Sequence, residues 1–278
     1  MPELPEVETV AADLRPHLVG RTIVSCDVRF PTIVRHPDPE RFAALLTGRR
    51  IEAVTRRGKY LFHRLDGCLD EPTLLVVHLG MTGQWRCVPA ETPEPDHLHA
   101  VLRLDDGREL RYRDTRRFGR LLLGTESELV AARKLPRLGP EPLDPGFTAA
   151  DLYRRLHVRR APVKALLLDQ MVVAGVGNIY ADESCFRARV RPDRTGSSLS
   201  RPAVRRLHDA LASLLAEAIA NRGSSVDTYR DAWGQMGGEQ DLLQVYGRGG
   251  EPCPRCGRPL AVVRLAGRTT VFCRRCQR

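Results

Sequence analysis

The sequence predicts an α+β protein of several domains, because strand-like and helical segments are segregated along the chain and a cysteine cluster follows them. The chain has 278 residues, which is enough for two domains of ordinary size. Short β-rich segments fill the first half, whereas helical spacing of apolar residues dominates the second half. We place domains at 1–133 and 147–247, a Pro- and Gly-rich linker at 134–146 and a cysteine hairpin at 248–278.

The first half begins with a predicted helix over 5–18, in which Val7, Val10, Leu14 and Leu18 lie on one stripe. Short segments rich in β-formers follow it, divided by Gly, Pro and Asp, and they predict strands at 22–30, 50–65, 73–80, 100–104, 109–114 and 117–124. Asp106-Gly107 predicts a hairpin turn between two of these strands.

The second half contains predicted helices at 148–156, 162–170, 178–186 and 201–221. A glycine-bearing turn at 174–177 precedes the third helix, and two helices joined in this way resemble a helix-turn-helix unit. The stretch 224–238 is polar and contains glycine, so we expect a mobile loop there.

The charge of the chain points to a polyanion. The net charge is +10, and 248–278 contains eight arginines against one acid, Glu251. A basic segment of this density favours nucleic acid as the partner, although a solvated face of an arginine-rich protein would look the same. No apolar segment approaches the ~20 residues of a membrane span, and the acidic N-terminus is unlike a signal peptide. We therefore expect a soluble, cytoplasmic protein.

The cysteines fall into two groups. Cys253-x2-Cys256-x16-Cys273-x2-Cys276 has the spacing of a tetrahedral Zn²⁺ site. Four thiolates would fill the coordination shell, so this zinc would be structural; disulfides and iron–sulfur ligation are the alternatives. The other cysteines are scattered and fit reduced thiols: Cys26, Cys68, Cys87 and Cys185.

The N-terminus offers a possible nucleophile. Removal of Met1 would expose the secondary amine of Pro2, and an α-amino group titrates near pH 8. Such an amine can attack a sugar C1′ and form an iminium, and Glu3 stands beside it to shuttle protons. Taken alone, the feature favours an ordinary processed N-terminus whose acids stabilise the first helix.

Several motifs occur in one order along essentially the whole chain: MPELPEVET at 1–9, RGKY at 57–60, HLGMTG at 78–83, DTRRFG at 114–119, GVGNIYA at 175–181 and the four-cysteine finger. Together they resemble the bacterial formamidopyrimidine-DNA glycosylase family. The resemblance implies an N-terminal β-sandwich with an N-terminal helix, a helix-two-turn-helix domain and a C-terminal zinc-finger β-hairpin.

The resemblance also implies a bifunctional DNA glycosylase/AP lyase of base excision repair, which excises oxidised purines from damaged double-stranded DNA by β,δ-elimination. Pro2 matches the nucleophile and Glu3 the acid that assists base departure. Lys59 matches the lysine of the β-elimination step, and it is one of only three lysines in the chain. Arg268 matches a phosphate-gripping arginine associated with δ-elimination.

The remaining matched positions bind DNA. Met81, Arg116 and Phe118 match residues that fill the void of the extruded nucleotide and probe the opposite cytosine. Without the resemblance, Met81 and Phe118 would be interpreted as core residues. Positions that match phosphate contacts, or fall near further DNA contacts in a looser alignment, are His78, Asn178, His97 and Arg159. Tyr246 would either contact phosphate or pack.

Two other functions fit part of the sequence. An endonuclease VIII-like glycosylase would prefer oxidised pyrimidines, but Leu4, Arg116 and Phe118 favour the formamidopyrimidine branch. A non-catalytic zinc-ribbon DNA-binding protein would explain the charge and the cysteines, but would leave Pro2 and Lys59 without a function. We expect a monomer without an obligate protein or membrane partner, with one structural Zn²⁺ and no catalytic metal or organic cofactor.

Overall fold

The computed structural model describes residues 2–67 and 72–278, so Met1 and Cys68 lie outside the described part of the chain. The chain forms two compact units. One contains Met1–Arg137 and Arg222–Gly238, and the other contains Leu138–Asn221 and Glu239–Arg278. The domain boundaries remain a prediction. The segment 222–238 packs with the first unit although it follows most of the second unit in the sequence. Domains that are each continuous in sequence would not show this arrangement.

Within its described residues, the first unit is a sandwich of two β-sheets. The strands are β1 Ile23–Val28, β2 Val34–His36, β3 Ile51–Arg57, β4 Tyr60–Leu65, β5 Thr73–His78, β6 Gly83–Pro89, β7 Leu98–Leu104, β8 Arg108–Asp114 and β9 Arg120–Gly124. The first sheet has the order β1-β7-β8-β6 and the second β2-β9-β5-β4-β3. Neighbouring strands are antiparallel except β2 and β9, and Trp85 and Tyr112 of one sheet share a core with Leu61 and Leu121 of the other.

The helices of the first unit are α1 Leu4–Leu18, α2 Pro39–Leu46 and α3 Glu126–Ala131. The apolar stripe predicted for α1 is buried in the sandwich core. The sequence did not indicate β2, β6, α2 and α3. β2, α2 and α3 have only three, eight and six residues, and β6 lacks a continuous alternation of apolar and polar residues. The single segment predicted at 50–65 is a hairpin, with β3 and β4 joined by Gly58 and Lys59.

The second unit contains α4 Ala149–His157, α5 Val163–Leu168, α6 Asn178–Arg187 and α7 Arg201–Ala220, followed by the hairpin of β10 Ala261–Leu265 and β11 Arg268–Phe272. The hydroxyls of Thr148 and Ser200 cap α4 and α7 by accepting N–H groups of their first turns. The finger packs on α6 through Phe186, Leu260 and Val271. Among the described residues, no helix combines the length and the apolar character that crossing a membrane requires.

Candidate functional site

Pro2 and Glu3 are buried where the chain enters α1. Glu3 is 2% exposed, and its backbone N–H donates to Oε2 of Glu6 at 2.7 Å. The other carboxylate oxygen of Glu6, Oε1, accepts the backbone N–H of Ser224 at 2.7 Å. One buried carboxylate therefore connects the N-terminal residues to the segment 222–238.

Lys59 lies in the tight turn between β3 and β4, where Gly58 adopts a φ of 57°. Glycine suits this position because it adopts positive φ without steric cost. Arg56 fixes the turn against α1, since its Nε donates to Glu8 at 2.8 Å and its Nη1 donates to the Gly58 carbonyl at 3.1 Å. Lys59 is only 7% exposed, so it is not an ordinary surface lysine.

His78 ends β5 opposite Tyr60, with ring centroids 4.7 Å apart. Burial and the positive charges of Lys59 and Arg120 lower the pKa of His78 to about 4. The imidazole is therefore neutral near pH 7. Its Nδ1 accepts the Gly80 N–H at 3.2 Å, which assigns the proton to Nε2 and leaves an N–H donor that could meet an anion.

Asp114 is fully buried and joins the loop after β5 to the loop after β8. Its Oδ1 accepts the Thr82 hydroxyl at 2.5 Å and the Arg116 N–H at 3.2 Å, and its Oδ2 accepts the Gly119 N–H at 2.8 Å. Gly80 packs so closely on the backbone of the second loop that a Cβ would clash. The two loops therefore form one rigid pair.

These two loops carry Met81, Arg116 and Phe118. Phe118 is 52% exposed, and Cζ of Arg116 lies 4.9 Å from the centroid of its ring. Met81 is half-buried. The core interpretation is therefore wrong for Phe118, because a rigid loop holds the ring in solvent.

His97 belongs to the same region. It is exposed and has a φ of 62°, a left-handed conformation that few non-glycine residues adopt. Its carbonyl accepts the Asp114 N–H at 3.1 Å. A backbone hydrogen bond therefore attaches His97 to Asp114, whose side chain holds the two loops together.

The segment 222–238 is anchored in the first unit, whereas the sequence suggested a mobile loop. Tyr229 is 5% exposed within the sandwich core. Nη2 of Arg222 donates to Asp13 of α1 and to Asp231, each at 2.6 Å. These anchors are scattered through a polar stretch and follow no period, so no sequence signal marked them.

In the second unit, Asn178 begins α6, and its Oδ1 is buried without a hydrogen-bond partner among the described residues. A helix N-terminus carries partial positive charge, which favours an anion. Arg159 follows α4, and its Nη1 donates to the carbonyl of Arg155 at 3.1 Å. The N-terminal N–H groups of α6 are thus placed to meet an anion, whereas Arg159 donates to the last turn of its own helix.

The four clustered cysteines hold their Sγ atoms within 4.8 Å of one another. The separations are 3.9 Å between Cys253 and Cys276 and 3.6 Å between Cys256 and Cys273. Zn–S bonds of about 2.3 Å imply a tetrahedron edge of about 3.8 Å. The donor set and its size therefore fit one structural Zn²⁺, which when bound would tie the two cysteine turns together.

Arg268 is the exposed first residue of β11, next to a hairpin turn in which Ala266 and Gly267 have φ of 48° and 72°. Positive φ at both central residues is the signature of a type I′ turn, which matches the twist of the two strands. The turn therefore fixes where the strand presents Arg268.

A buried ion pair joins β11 to the helices. Lys164 and Asp182 are fully buried and lie 2.7 Å apart. Nζ of Lys164 donates to the Thr269 carbonyl at 2.9 Å, and Asp182 accepts the Val271 N–H at 3.1 Å. Burial outweighs the attraction of Lys164 and raises the pKa of Asp182 to about 6.

Sequence reasoning missed the buried carboxylates that hold these elements. Glu6 had a local signal, because the spacing Glu3-x-x-Glu6 matches a capping box. Asp182 and Glu183 had none, since the N–H groups that they accept are distant in the chain, and nothing in the sequence marked the distant Thr82 hydroxyl as a partner of Asp114. Glu183 accepts the N–H of Tyr246 at 2.8 Å, which anchors the segment before the finger.

Comparison with known proteins decides the family. Residues 1–121 match the formamidopyrimidine-DNA glycosylase N-terminal domain, residues 138–230 match the H2TH domain of these enzymes, and residues 250–278 match a zinc finger found in FPG and IleRS. Formamidopyrimidine-DNA glycosylases of Desulfitobacterium hafniense (strain DSM 10664 / DCB-2) and Geobacillus kaustophilus are 46% and 47% identical to the chain, each over 100% of both proteins. The chain belongs to the formamidopyrimidine-DNA glycosylase family.

Solved structures of this family agree in fold. MutM (FPG) from Thermus thermophilus is 46% identical, with a TM-score of 0.88 over 99% of this chain and 98% of that protein. Wild-type Lactococcus lactis Fpg bound to DNA containing N7-benzyl-Fapy-dG is 36% identical, with a TM-score of 0.90 over 100% of both chains. The predicted sandwich, H2TH domain and zinc finger are confirmed, and the chain is a DNA glycosylase of base excision repair.

Proposed function

We propose that this chain is a bifunctional glycosylase/AP lyase that removes 8-oxoguanine and formamidopyrimidines from duplex DNA as a monomer, with Pro2 as nucleophile. The buried start of α1 carries the proposal, because Glu3 directly follows Pro2 and its backbone N–H is linked through Glu6 to the segment 222–238. The formamidopyrimidine-DNA glycosylases that the chain resembles, and the Lactococcus lactis Fpg complex with DNA containing N7-benzyl-Fapy-dG, support the same substrate class.

The first step exchanges a glycosidic bond for a bond to the enzyme. After removal of Met1, the Pro2 nitrogen attacks C1′ and the damaged base leaves with the electron pair of its C1′–N bond. Glu3 supplies the proton that assists opening of the sugar ring. The amine loses its proton, and the product is a cationic iminium that joins Pro2 to C1′.

Two eliminations follow from this electron sink. Loss of a proton from C2′ breaks the C3′–O bond and releases the 3′ phosphate. A second elimination breaks the C5′–O bond and releases the 5′ phosphate. Lys59 and Arg268 bind the departing phosphates in this proposal, because Lys59 is a cation on the turn between β3 and β4 and Arg268 is a cation at the start of β11.

The exposed loop residues serve extrusion of the nucleotide. An enzyme reaches C1′ of a stacked nucleotide only after unstacking it. Met81 and Phe118 fill the vacated space, and the guanidinium of Arg116 donates hydrogen bonds to the orphaned cytosine. The remaining proposed DNA contacts are His78, His97, Arg159 and Asn178.

Product analysis tests this function. The Met-processed protein should convert a labelled duplex with 8-oxoguanine opposite cytosine into a one-nucleotide gap that carries phosphate at both ends. Lys59→Ala should slow strand scission more than base release, whereas Lys134→Ala, which removes an exposed lysine of the same unit, should change neither. Faster cleavage at oxidised pyrimidines would indicate the endonuclease VIII-like alternative, and binding without any cleavage would indicate a zinc-ribbon binding protein.

A further inference from the structure

A cleft of about 870 Å³ lies in the second unit next to the zinc-binding cysteines. Five arginines and one cysteine line it: Arg189, Arg206, Arg255, Arg275, Arg278 and Cys276. We call it the arginine cleft. Its described lining contains no Asp or Glu side chain.

The arginines of the cleft lack carboxylate partners. Arg206 and Arg255 donate to backbone carbonyls, Ala188 at 3.2 Å and Phe186 at 2.7 Å, and no cleft arginine forms an ion pair among the described residues. A bound anion would satisfy the guanidinium donors that these contacts leave free to face the cleft.

Some other arginines of the same unit have carboxylate partners. Arg154 contacts Asp151, and Arg248 lies 2.8 Å from Glu251. Arginine is abundant in this chain, so its presence alone means little. The cleft differs because its arginines converge on a concave surface without acids.

The arginine cleft is separate from the Arg268 position. Arg268 begins β11 at the hairpin turn, whereas Cys273 directly follows the other end of this strand. A strand of five residues spans roughly 16 Å. A phosphate held at Arg268 therefore does not occupy the cleft.

We propose that the arginine cleft is a second contact site for the sugar–phosphate backbone of duplex DNA, used whether or not the DNA contains a lesion. A second cleft of about 530 Å³ shares Arg278 and adds Arg194 and Arg274, together with Arg191, which pairs with Asp193 of the same lining at 2.6 Å. The arginines therefore extend beyond what a single small anion can contact, and a chain of phosphates matches such a band. The site would add to affinity for undamaged DNA and would leave excision chemistry unchanged.

The salt dependence of binding tests the proposal. The double variant Arg189→Gln/Arg278→Gln removes two cleft charges without touching a zinc ligand. Each lost phosphate contact lowers the slope of log K against log[salt] by about 0.9, so the slope for a long undamaged duplex should fall by about 1.8 between about 50 and 200 mM KCl. The double variant Arg189→Lys/Arg278→Lys, which keeps the charge, should retain the slope.

The control is Arg154→Gln/Arg248→Gln, which removes the same charge from arginines that already have carboxylate partners. Its slope should stay within about 0.5 of that of the unaltered protein.

An unchanged slope in the cleft variant, with zinc content and unfolding temperature intact, overturns the proposal. Competition by tripolyphosphate at the cleft together with an unchanged DNA slope also overturns it, in favour of a small-anion site. Excision of 8-oxoguanine at saturating enzyme and low salt is measured in parallel, so failure of the cleft is distinguishable from failure of the proposed function.

Discussion

Asp114 in the first unit and Asp182 in the second unit are both buried, and each holds an element that carries exposed site residues. Asp114 fixes the loops of Arg116 and Phe118 through hydroxyl and N–H donors. Asp182 fixes the strand of Arg268, but one of its partners is the cation Lys164. Two similar tasks are thus performed by different chemistry.

Because of this difference, substitutions at Asp114 and at Asp182 should affect stability in different ways. A carboxylate that accepts several neutral donors needs its oxygens, because losing an acceptor leaves buried donors unsatisfied. A buried ion pair also bears the desolvation of two charges, so removal of one partner is worse than removal of both.

Lys164→Met should lower the free energy of unfolding by roughly 3–5 kcal/mol, because it leaves the charge of Asp182 buried without its cation. The double variant Lys164→Met/Asp182→Asn removes both charges and keeps an oxygen for the Val271 N–H. It should recover most of the loss. Urea unfolding of the zinc-loaded proteins measures this, and a double variant no more stable than Lys164→Met would contradict the ion-pair interpretation.

Asp114→Asn should lower the free energy of unfolding by about 2–3 kcal/mol, because an amide group replaces one acceptor oxygen among buried donors. Excision of 8-oxoguanine should also fall, since the loops of Arg116 and Phe118 lose their shared anchor. Asp38→Asn is the matched control, because Asp38 accepts one N–H, that of Arg41, at an exposed helix start. Equal effects of the two substitutions on stability would rule out a special role for Asp114.

The pH dependence of stability should distinguish the two carboxylates further. The pKa of Asp182 is raised from 3.8 to about 6, so between these values the folded state holds a proton that the unfolded chain has lost. The contribution of Asp182 to stability is therefore full below about pH 4 and is lost as the pH rises through about 6. Unfolding of the unaltered protein and of Lys164→Met/Asp182→Asn across this window should show the former losing stability relative to the latter. A constant difference would refute the raised pKa.

Phe118→Ala should change the free energy of unfolding by less than about 0.5 kcal/mol, because the ring is already exposed. It should nevertheless slow 8-oxoguanine excision, since the ring fills the space of the extruded nucleotide. Met171→Ala, at another exposed apolar residue, should alter neither quantity. Chemical denaturation and single-turnover excision assays separate the two effects, and a loss of stability as large as that of Asp114→Asn would place Phe118 in the core after all.

Local patterns accounted for much of the fold. The stripe of α1, the Asp106-Gly107 turn and the paired cysteine turns each depend on residues close in sequence, and all appear in the structure. Contacts between distant residues were not predictable in this way. The hydrogen bond from Thr82 to Asp114 and the insertion of Tyr229 into the sandwich core join segments that share no period, so only the folded chain reveals them.

In the proposed mechanism, the Pro2 amine forms a covalent iminium with damaged DNA. Borohydride reduces such an iminium to a stable amine, so the Met-processed protein incubated with an 8-oxoguanine:cytosine duplex and borohydride should form a protein–DNA adduct. Peptide mapping should locate the adduct on Pro2, and undamaged duplex and Pro2→Gly should give none. If a processed, zinc-loaded protein binds the duplex but yields no adduct, or if the adduct maps to Lys59, Pro2 is not the nucleophile and the proposed mechanism is wrong.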